Sequence, residues 1–304
     1  MPALNRLRAG RRFPLSKPTW PAGVPRPAPE RKVGLDYDHE WSRSYPVRLA
    51  RAVVLDDVMR PAARLVAPTT VRGAEHLRDV AGPVIFAANH ASHLDTPILL
   101  TTLPARFRHR TVVAAAADYF FDRSWKAVLW SFSLAAVPIE RSRVNRRSAD
   151  VAAGLLAEGW NLLIFPEGGR SPDGWAQPFR GGAAYLSRRT GRPVVPVHIH
   201  GTRDVLPKAS GGLRRLRRAP VAVLFGSPLM SDDGEDARHF GARIETAVAV
   251  LADELRSDWW TARQRAAAGT TTPPRGPDAG LWRRAWLLGG RAETGRASWP
   301  ESEG

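Results

Sequence analysis

An α/β domain, built on a mostly parallel or mixed central sheet flanked by helices and preceded by an N-terminal amphipathic helical segment, is what this 304-residue sequence predicts. Three observations lead there. Short apolar runs of strand length recur through the middle of the chain, stretches of helical period separate them, and one long apolar stripe at three- and four-residue steps comes before them all.

In chain order, residues 1–40 read as a basic, proline-rich, disordered tail, with seven prolines in the first thirty positions and no apolar period. The domain is expected over 41–260. Its first part, 41–66, is the amphipathic helix: Ser44-Tyr45-Pro46 offers a start with proline where a helix tolerates it. Val47, Val54, Leu55, Val58, Met59, Ala62, Leu65 and Val66 form the stripe, while Asp56, Asp57, Arg60 and Arg64 take the other face. Arg48 and Arg51 fall on the apolar edge, and Pro61 should kink or split the helix. Such a helix either packs on its own core or lies in a membrane interface with its arginines toward lipid phosphates.

Buried strands are expected at Pro83–Ala88, Thr111–Ala115, Leu134–Ile139, Asn161–Phe165, Val194–Ile199 and, later, Val221–Phe225. Helical stretches lie between them at Leu94–Leu103, Arg123–Phe132, Ala149–Glu158 and Phe179–Arg189, and Glu235–Arg256 closes the domain. In such sheets chemistry sits just beyond the carboxyl ends of the strands. Residues 261–304, with Thr270–Pro277 and then tryptophans scattered among Arg and Gly, read as a second disordered tail.

There is no cysteine, which removes disulfides and thiolate metal sites. Lys+Arg 45 against Asp+Glu 29 gives a net charge of +16, the mark of a polyanionic partner or of an arginine-preferring genome. No apolar run reaches the ~20 residues a spanning helix needs. No apolar stretch follows Arg6, Arg8, Arg11 and Arg12, so a secretory signal is not expected and the chain should stay inside the cell.

After the first strand come Asn89-His90-Ala91-Ser92-His93-Leu94-Asp95. On one helix His90 and Asp95 would stand about 140° apart. In a loop turning into a helix, Asp95 can swing back to take the Nδ1 proton and leave the other nitrogen a base of defined tautomer. After the third strand come Glu140-Arg141-Ser142-Arg143. After the fourth come Phe165-Pro166-Glu167-Gly168-Gly169-Arg170-Ser171, where glycines allow close backbone approach and Arg170 can fork onto a phosphate. Singly, each is also an ordinary loop.

Together, in this order, the loops resemble the glycerol-3-phosphate and lysophosphatidic acid acyltransferase family (PlsC-like). Asn-His-x-Ser-x-x-Asp matches Asn89, His90, Ser92 and Asp95; Pro138–Arg141 matches the second block. Phe165–Ser171 matches the third, with Gly169 where the family has threonine, and Val194–Val197, with Pro196, matches the fourth. The resemblance covers about residues 70–230. It implies that His90 deprotonates an acceptor hydroxyl attacking an acyl thioester, with Asp95 orienting it. It further implies that Arg141, Glu167, Gly168, Gly169, Arg170 and Ser171 form the glycerol phosphate site, with Arg141 and Arg170 pairing the phosphate, Glu167 bonding a hydroxyl or fixing an arginine, Ser92 and Ser171 bracing their loops, and Asn89 and Pro196 in support. The implied donor is acyl-CoA or acyl carrier protein, the acceptor a lysophospholipid or glycerol phosphate, and no metal or cofactor is needed. The implied setting is peripheral, on the cytoplasmic side of the cell membrane, with the positive charge facing an anionic membrane surface.

His198 and His200 share a strand face as a metal pair would, and His90, His93 and Asp95 could suggest a hydrolytic metal site, but that cluster lacks a close His-x-His and a further well-placed carboxylate; His198 and His200 read as cleft-lining or exposed. From Arg203 to Arg218 six Lys/Arg stand against one acid, a solvated loop or a contact for anionic headgroups or donor phosphates. Nucleic acid is not expected as a partner, because no aromatic platform accompanies the basic loop. Two other readings remain. One is acylation of another lipid or glycolipid alcohol. The other is a non-catalytic basic protein binding a membrane surface or nucleic acid, against which the complete His90, Asp95, Glu167 and Arg170 set argues.

Overall fold

The computed structural model describes residues 33–140, 146–207 and 216–275. Helix α1 (Tyr45–Val53) passes through a π-helical stretch, Val54–Met59, into α2 (Arg60–Val66). Pro61 has no N–H with which to close a helical turn, and the chain widens ahead of it instead of breaking. The wider turns shift the apolar register. Leu55 is buried, and Met59 and Val66 pack against the core, as the stripe predicts. Val58 and Leu65 point outward instead, and Tyr45, Leu49 and Val53 are exposed with them.

The helix thus packs on its own domain, the first of the two readings left open for it. The two arginines on its edge are engaged inside. Arg51 is buried, donating to the carbonyls of Ser131 (3.1 Å), Phe132 (3.3 Å) and Ser42 (2.9 Å), and burial pushes it down to about 10. Arg48 stacks over Trp160 at 5.2 Å.

The strands follow as β1 (Thr69–Arg72), β2 (Ile85–Ala88), β3 (Thr111–Ala116), β4 (Ala136–Ile139), β5 (Asn161–Ile164), β6 (Val194–His200) and β7 (Val221–Phe225). They form one sheet in the order β1-β7-β6-β2-β5-β3-β4. From β6 to β4 all neighbours are parallel, while β6 and β7 are antiparallel and β1 runs with β7. The sheet is therefore mixed. Strand β1 was not expected from the sequence: of Thr69, Thr70, Val71 and Arg72 only one is apolar, as suits an exposed edge. Pro138 lies in the other edge strand, where its missing N–H costs no ladder bond.

Between the strands run α3 (Asp95–Thr102), α4 (Ala105–Arg108), α5 (Ala117–Phe120), α6 (Ser124–Leu134), α7 (Arg146–Ala157), α8 (Gly182–Thr190) and α9 (Thr202–Val205); α10 (Ala237–Arg256) and α11 (Trp259–Ala267) close the fold. The pleat divides the core into two layers. Phe86 and Ala88 join one apolar cluster, with Leu99 and Phe107, and their neighbours Ile85 and Ala87 join the other, with Leu156 and Phe240.

Both expected tails prove shorter where the structure describes them. Gly34–Asp36 and Glu40–Arg43 form 3₁₀ turns, and Gly34 N–H bonds Phe121 O at 2.9 Å. At the other end α11 crosses residue 261, Ala262 is fully buried, and Ala176 N–H reaches Pro274 O at 3.0 Å. Residues 1–32 and 276–304, the remainder of both tails, lie outside the described residues.

Candidate active site

The chain leaves β2 at Asn89, whose side-chain amide exchanges two hydrogen bonds with the backbone of Ile199, 2.9 and 2.8 Å, and so ties the loop to β6. His90 follows. Its ring stacks on Phe165, centroids 4.1 Å apart, and its Nδ1 lies 2.8 Å from Asp95 Oδ2.

Asp95 is the first residue of α3 and is fully buried. Besides His90, Oδ2 accepts the N–H groups of Ala91 (2.7 Å) and Ser92 (2.8 Å), and Oδ1 accepts Thr202 Oγ at 2.5 Å. Four donors offset the cost of burying a carboxylate. Bonds to the two backbone N–H groups turn the loop so that residues five apart in sequence meet. With Nδ1 donating to Asp95, Nε2 carries the lone pair. Ser92 braces the same turn, donating to Leu206 O at 2.9 Å.

The loop after β5 is pinned to the first one. Glu167 Oε1 accepts His90 N–H (2.7 Å), Oε2 accepts Gln177 N–H (2.9 Å), and Ser171 N–H bonds His90 O (2.8 Å). Glu167 is buried and each of its oxygens holds a backbone N–H. Burial raises it to about 7 against the pull of those two N–H donors. Ser171 is buried and braces its loop, its Oγ accepting Gly174 N–H at 2.7 Å.

Gly168 takes φ +73°, and a Cβ there would come within 2.8 Å of the Arg180 side chain; Gly169 faces open space. Pro196 is a fold residue inside β6, packed on Gly226.

Arg170 reaches the site. With His90, Gly168 and Gly169 it lines a cavity of about 930 Å³, open mouth included, whose inner wall is Val113–Ala116, Trp130, Leu134, Ala136 and Ile139. Burial, then the Arg170 guanidinium and His90, push His93 down to about 4, so it faces the cavity neutral. Arg141 lies outside the described residues; Ile139, two positions earlier, is on the cavity wall. Of the basic loop, 208–215 are also outside them. Among the described residues no three His, Asp or Glu side chains gather as a metal site, and no helix is long and apolar enough to cross a membrane.

Two contributors were missed in the sequence. Thr202 completes the Asp95 shell, and Phe165 backs the His90 ring. Thr202 had a readable signal, since Gly201-Thr202 sits just past the end of β6, where the strand-end rule already pointed.

These elements together form a buried-strand α/β sheet with a carboxylate-oriented histidine at an apolar cavity beside an arginine. A family model described as Acyltransferase matches residues 68–200 of the chain.

The chain is similar to 1-acyl-sn-glycerol-3-phosphate acyltransferases. It is 29% identical to one from Cocos nucifera over 200 residues, covering 62% of this chain and 58% of that protein. It is 30% identical over 194 residues to the chloroplastic enzyme BAT2 of Brassica napus, covering 62% and 49%, and 28% identical over 194 to the alpha enzyme of Mus musculus, covering 62% and 65%. The chain thus spans about half to two thirds of the length of these relatives. The crystal structure of the 1-acyl-sn-glycerophosphate acyltransferase PlsC from Thermotoga maritima shares the fold, with a TM-score of 0.54 at 24% identity, over 72% of this chain and 84% of that one.

Proposed function

We propose that the protein is an O-acyltransferase that moves a fatty acyl group from acyl-CoA or acyl carrier protein to the free hydroxyl of 1-acyl-glycerol-3-phosphate, giving phosphatidic acid. The observation that carries this reading is the 2.8 Å bond from His90 Nδ1 to Asp95, which leaves Nε2 as the base on a residue lining an apolar cavity with Arg170.

Nε2 takes the hydroxyl proton as the oxygen attacks the thioester carbonyl. Asp95 supports the imidazolium so formed. As the tetrahedral intermediate collapses the C–S bond breaks, and the same proton passes from Nε2 to the departing thiolate. Arg170 pairs the acceptor phosphate, and the alanine-rich wall takes an acyl chain. Holding alcohol and thioester together supplies much of the rate.

The acceptor and the product are membrane lipids, and the enzyme works peripherally at a membrane surface. Supporting this, Trp125, Val128 and Leu129 are exposed on α6, beside Lys126, and that helix also carries Trp130 and Leu134 of the cavity wall. The exposed apolar row of α1 supports it less: its neighbour Trp160 directly precedes β5, so α1 lies toward the amino ends of the parallel strands, away from the site.

The test offers acyl-CoA with a panel of lysolipids and follows products by mass spectrometry. Phosphatidic acid should form from 1-acyl-glycerol-3-phosphate and vanish with His90→Ala. Retained transfer in that variant sinks the proposed base.

A further inference from the structure

A second cavity, about 990 Å³ with its open mouth, lies across the His90 loop from the first. Asn89 and Ala91 line it while His90 lines the first cavity, and Gly174–Gln177 line it while Gly168–Arg170 line the first. The two cavities therefore share two loops.

On its wall stands His198, 8% exposed, whose Nδ1 is buried and has no hydrogen-bond partner. An unmet ring nitrogen is costly to bury, which marks a place where a ligand or solvent atom belongs. Burial, then His200 and Arg256, push this imidazole down to about 3, so it stays neutral and is suited to a neutral partner that can donate or accept. Trp175 and Phe179 add aromatic wall. Arg203, held by two long bonds of 3.4 Å to the carbonyls of Ser171 and Pro172, and Arg256, exposed at the end of α10, bring positive charge. Asp204 is the opposing charge, and Glu245, the other acid present, is paired with Arg275 at 2.6 Å.

We propose that this second cavity binds the phosphopantetheine arm of the acyl donor, with Arg203 and Arg256 on its phosphate and His198 Nδ1 on an amide or hydroxyl of the arm. The inference rests on the acyltransferase reading, because a two-substrate transfer must seat the thiol-bearing half of the donor apart from the acceptor headgroup at Arg170. The arm is common to CoA and carrier-protein thioesters, so the site does not select between them.

The test measures binding of coenzyme A, dephospho-coenzyme A and inorganic phosphate by calorimetry to the full chain and to Arg256→Glu and His198→Gln. Arg256 is exposed and its variant is expected to fold even if the buried substitution does not. Both forms of coenzyme A should bind the wild type alike, and Arg256→Glu should weaken them about 10–100-fold, the loss of one charged hydrogen-bonding partner. The Michaelis constant for acyl-CoA should rise by a similar factor while that for the lysolipid holds. Unchanged coenzyme A affinity in Arg256→Glu, a rise confined to the lysolipid constant, or inorganic phosphate competing as well as coenzyme A would each overturn the proposal. Wild-type binding of coenzyme A that Arg256→Glu abolishes, without transfer to any lysolipid, would support this site and defeat the acceptor reading instead.

Discussion

Replacing Thr202 with valine keeps the side-chain shape and deletes one hydroxyl. In the structure that hydroxyl donates to Asp95 Oδ1 at 2.5 Å, and both residues are fully buried. No other donor to Oδ1 exists among the described hydrogen bonds, since His90, Ala91 and Ser92 all converge on Oδ2. Thr202→Val therefore leaves one oxygen of a buried carboxylate unmet, at a cost of about 1.5–3 kcal/mol. For a domain of this size that is a fall in Tm of about 3–12 °C. Asp95 is also freed to rotate, and outer partners that orient a functional histidine typically matter about 10–100-fold. Thr202 is not on the wall of the His90 cavity, so the loss should fall on kcat and spare the acceptor KM. Thr202→Ser restores the hydroxyl and should restore both. Steady-state kinetics with thermal unfolding of the three proteins decides the matter. Wild-type kcat and Tm in Thr202→Val, or a loss that serine does not repair, would refute this account of Asp95.

Other perturbations test the remaining parts. Asp95→Asn, which removes the negative charge that supports the His90 imidazolium, should lower kcat by about 10³–10⁴ in the transfer assay. Glu167→Gln should lower Tm and kcat without raising the lysolipid KM, because Glu167 clamps backbone; a selective KM rise would restore it to the acceptor site. Gly169→Thr should be silent in stability and kinetics, having open space, whereas Gly168→Ala should cost about 1–2 kcal/mol in urea unfolding for its left-handed backbone alone. His198 takes a proton near 6.5 when unfolded but only near 3 when folded, so between those values the unfolded chain binds more protons and stability rises with pH. That contribution is complete above about pH 6.5 and falls by about 2–3 kcal/mol by pH 4.5. His198→Gln should therefore show a correspondingly smaller drop in urea stability between pH 7 and 4.5.

The parallel strands were legible because burial on both faces leaves near-continuous apolar runs, such as Ile85–Ala88 and Leu162–Ile164, closed by helices of clear period. Strand β1 was not, because an edge strand carries little apolar signal. The amphipathic helix was legible as a helix but not in its facing: a π stretch adds residues per turn, and no 3.6-residue template predicts which side Val58 and Leu65 then take. His90 and Asp95 were legible as a pair because a strand end and a helix start bracket them. The backbone contacts of Glu167 were hidden, since a motif reports that a residue type belongs at a position without saying whether its atoms face ligand or backbone.

That distinction explains why the site has so many polar residues and so few that reach the cavity. His90 is fixed from every side: its N–H by Glu167, its carbonyl by Ser171 N–H, its Nδ1 by Asp95 and its ring face by Phe165. Asp95 is in turn held from β6's far end by Thr202, and Asn89 clips the loop to Ile199 of the same strand. Each loop is anchored by a side chain from another, so displacing any one moves the base. A general base must meet its proton within a few tenths of an ångström, and positioning at that tolerance needs locked supports. Arg170 and His93 line the first cavity and His198 the second, and it is there that substrate atoms can enter without dismantling the frame.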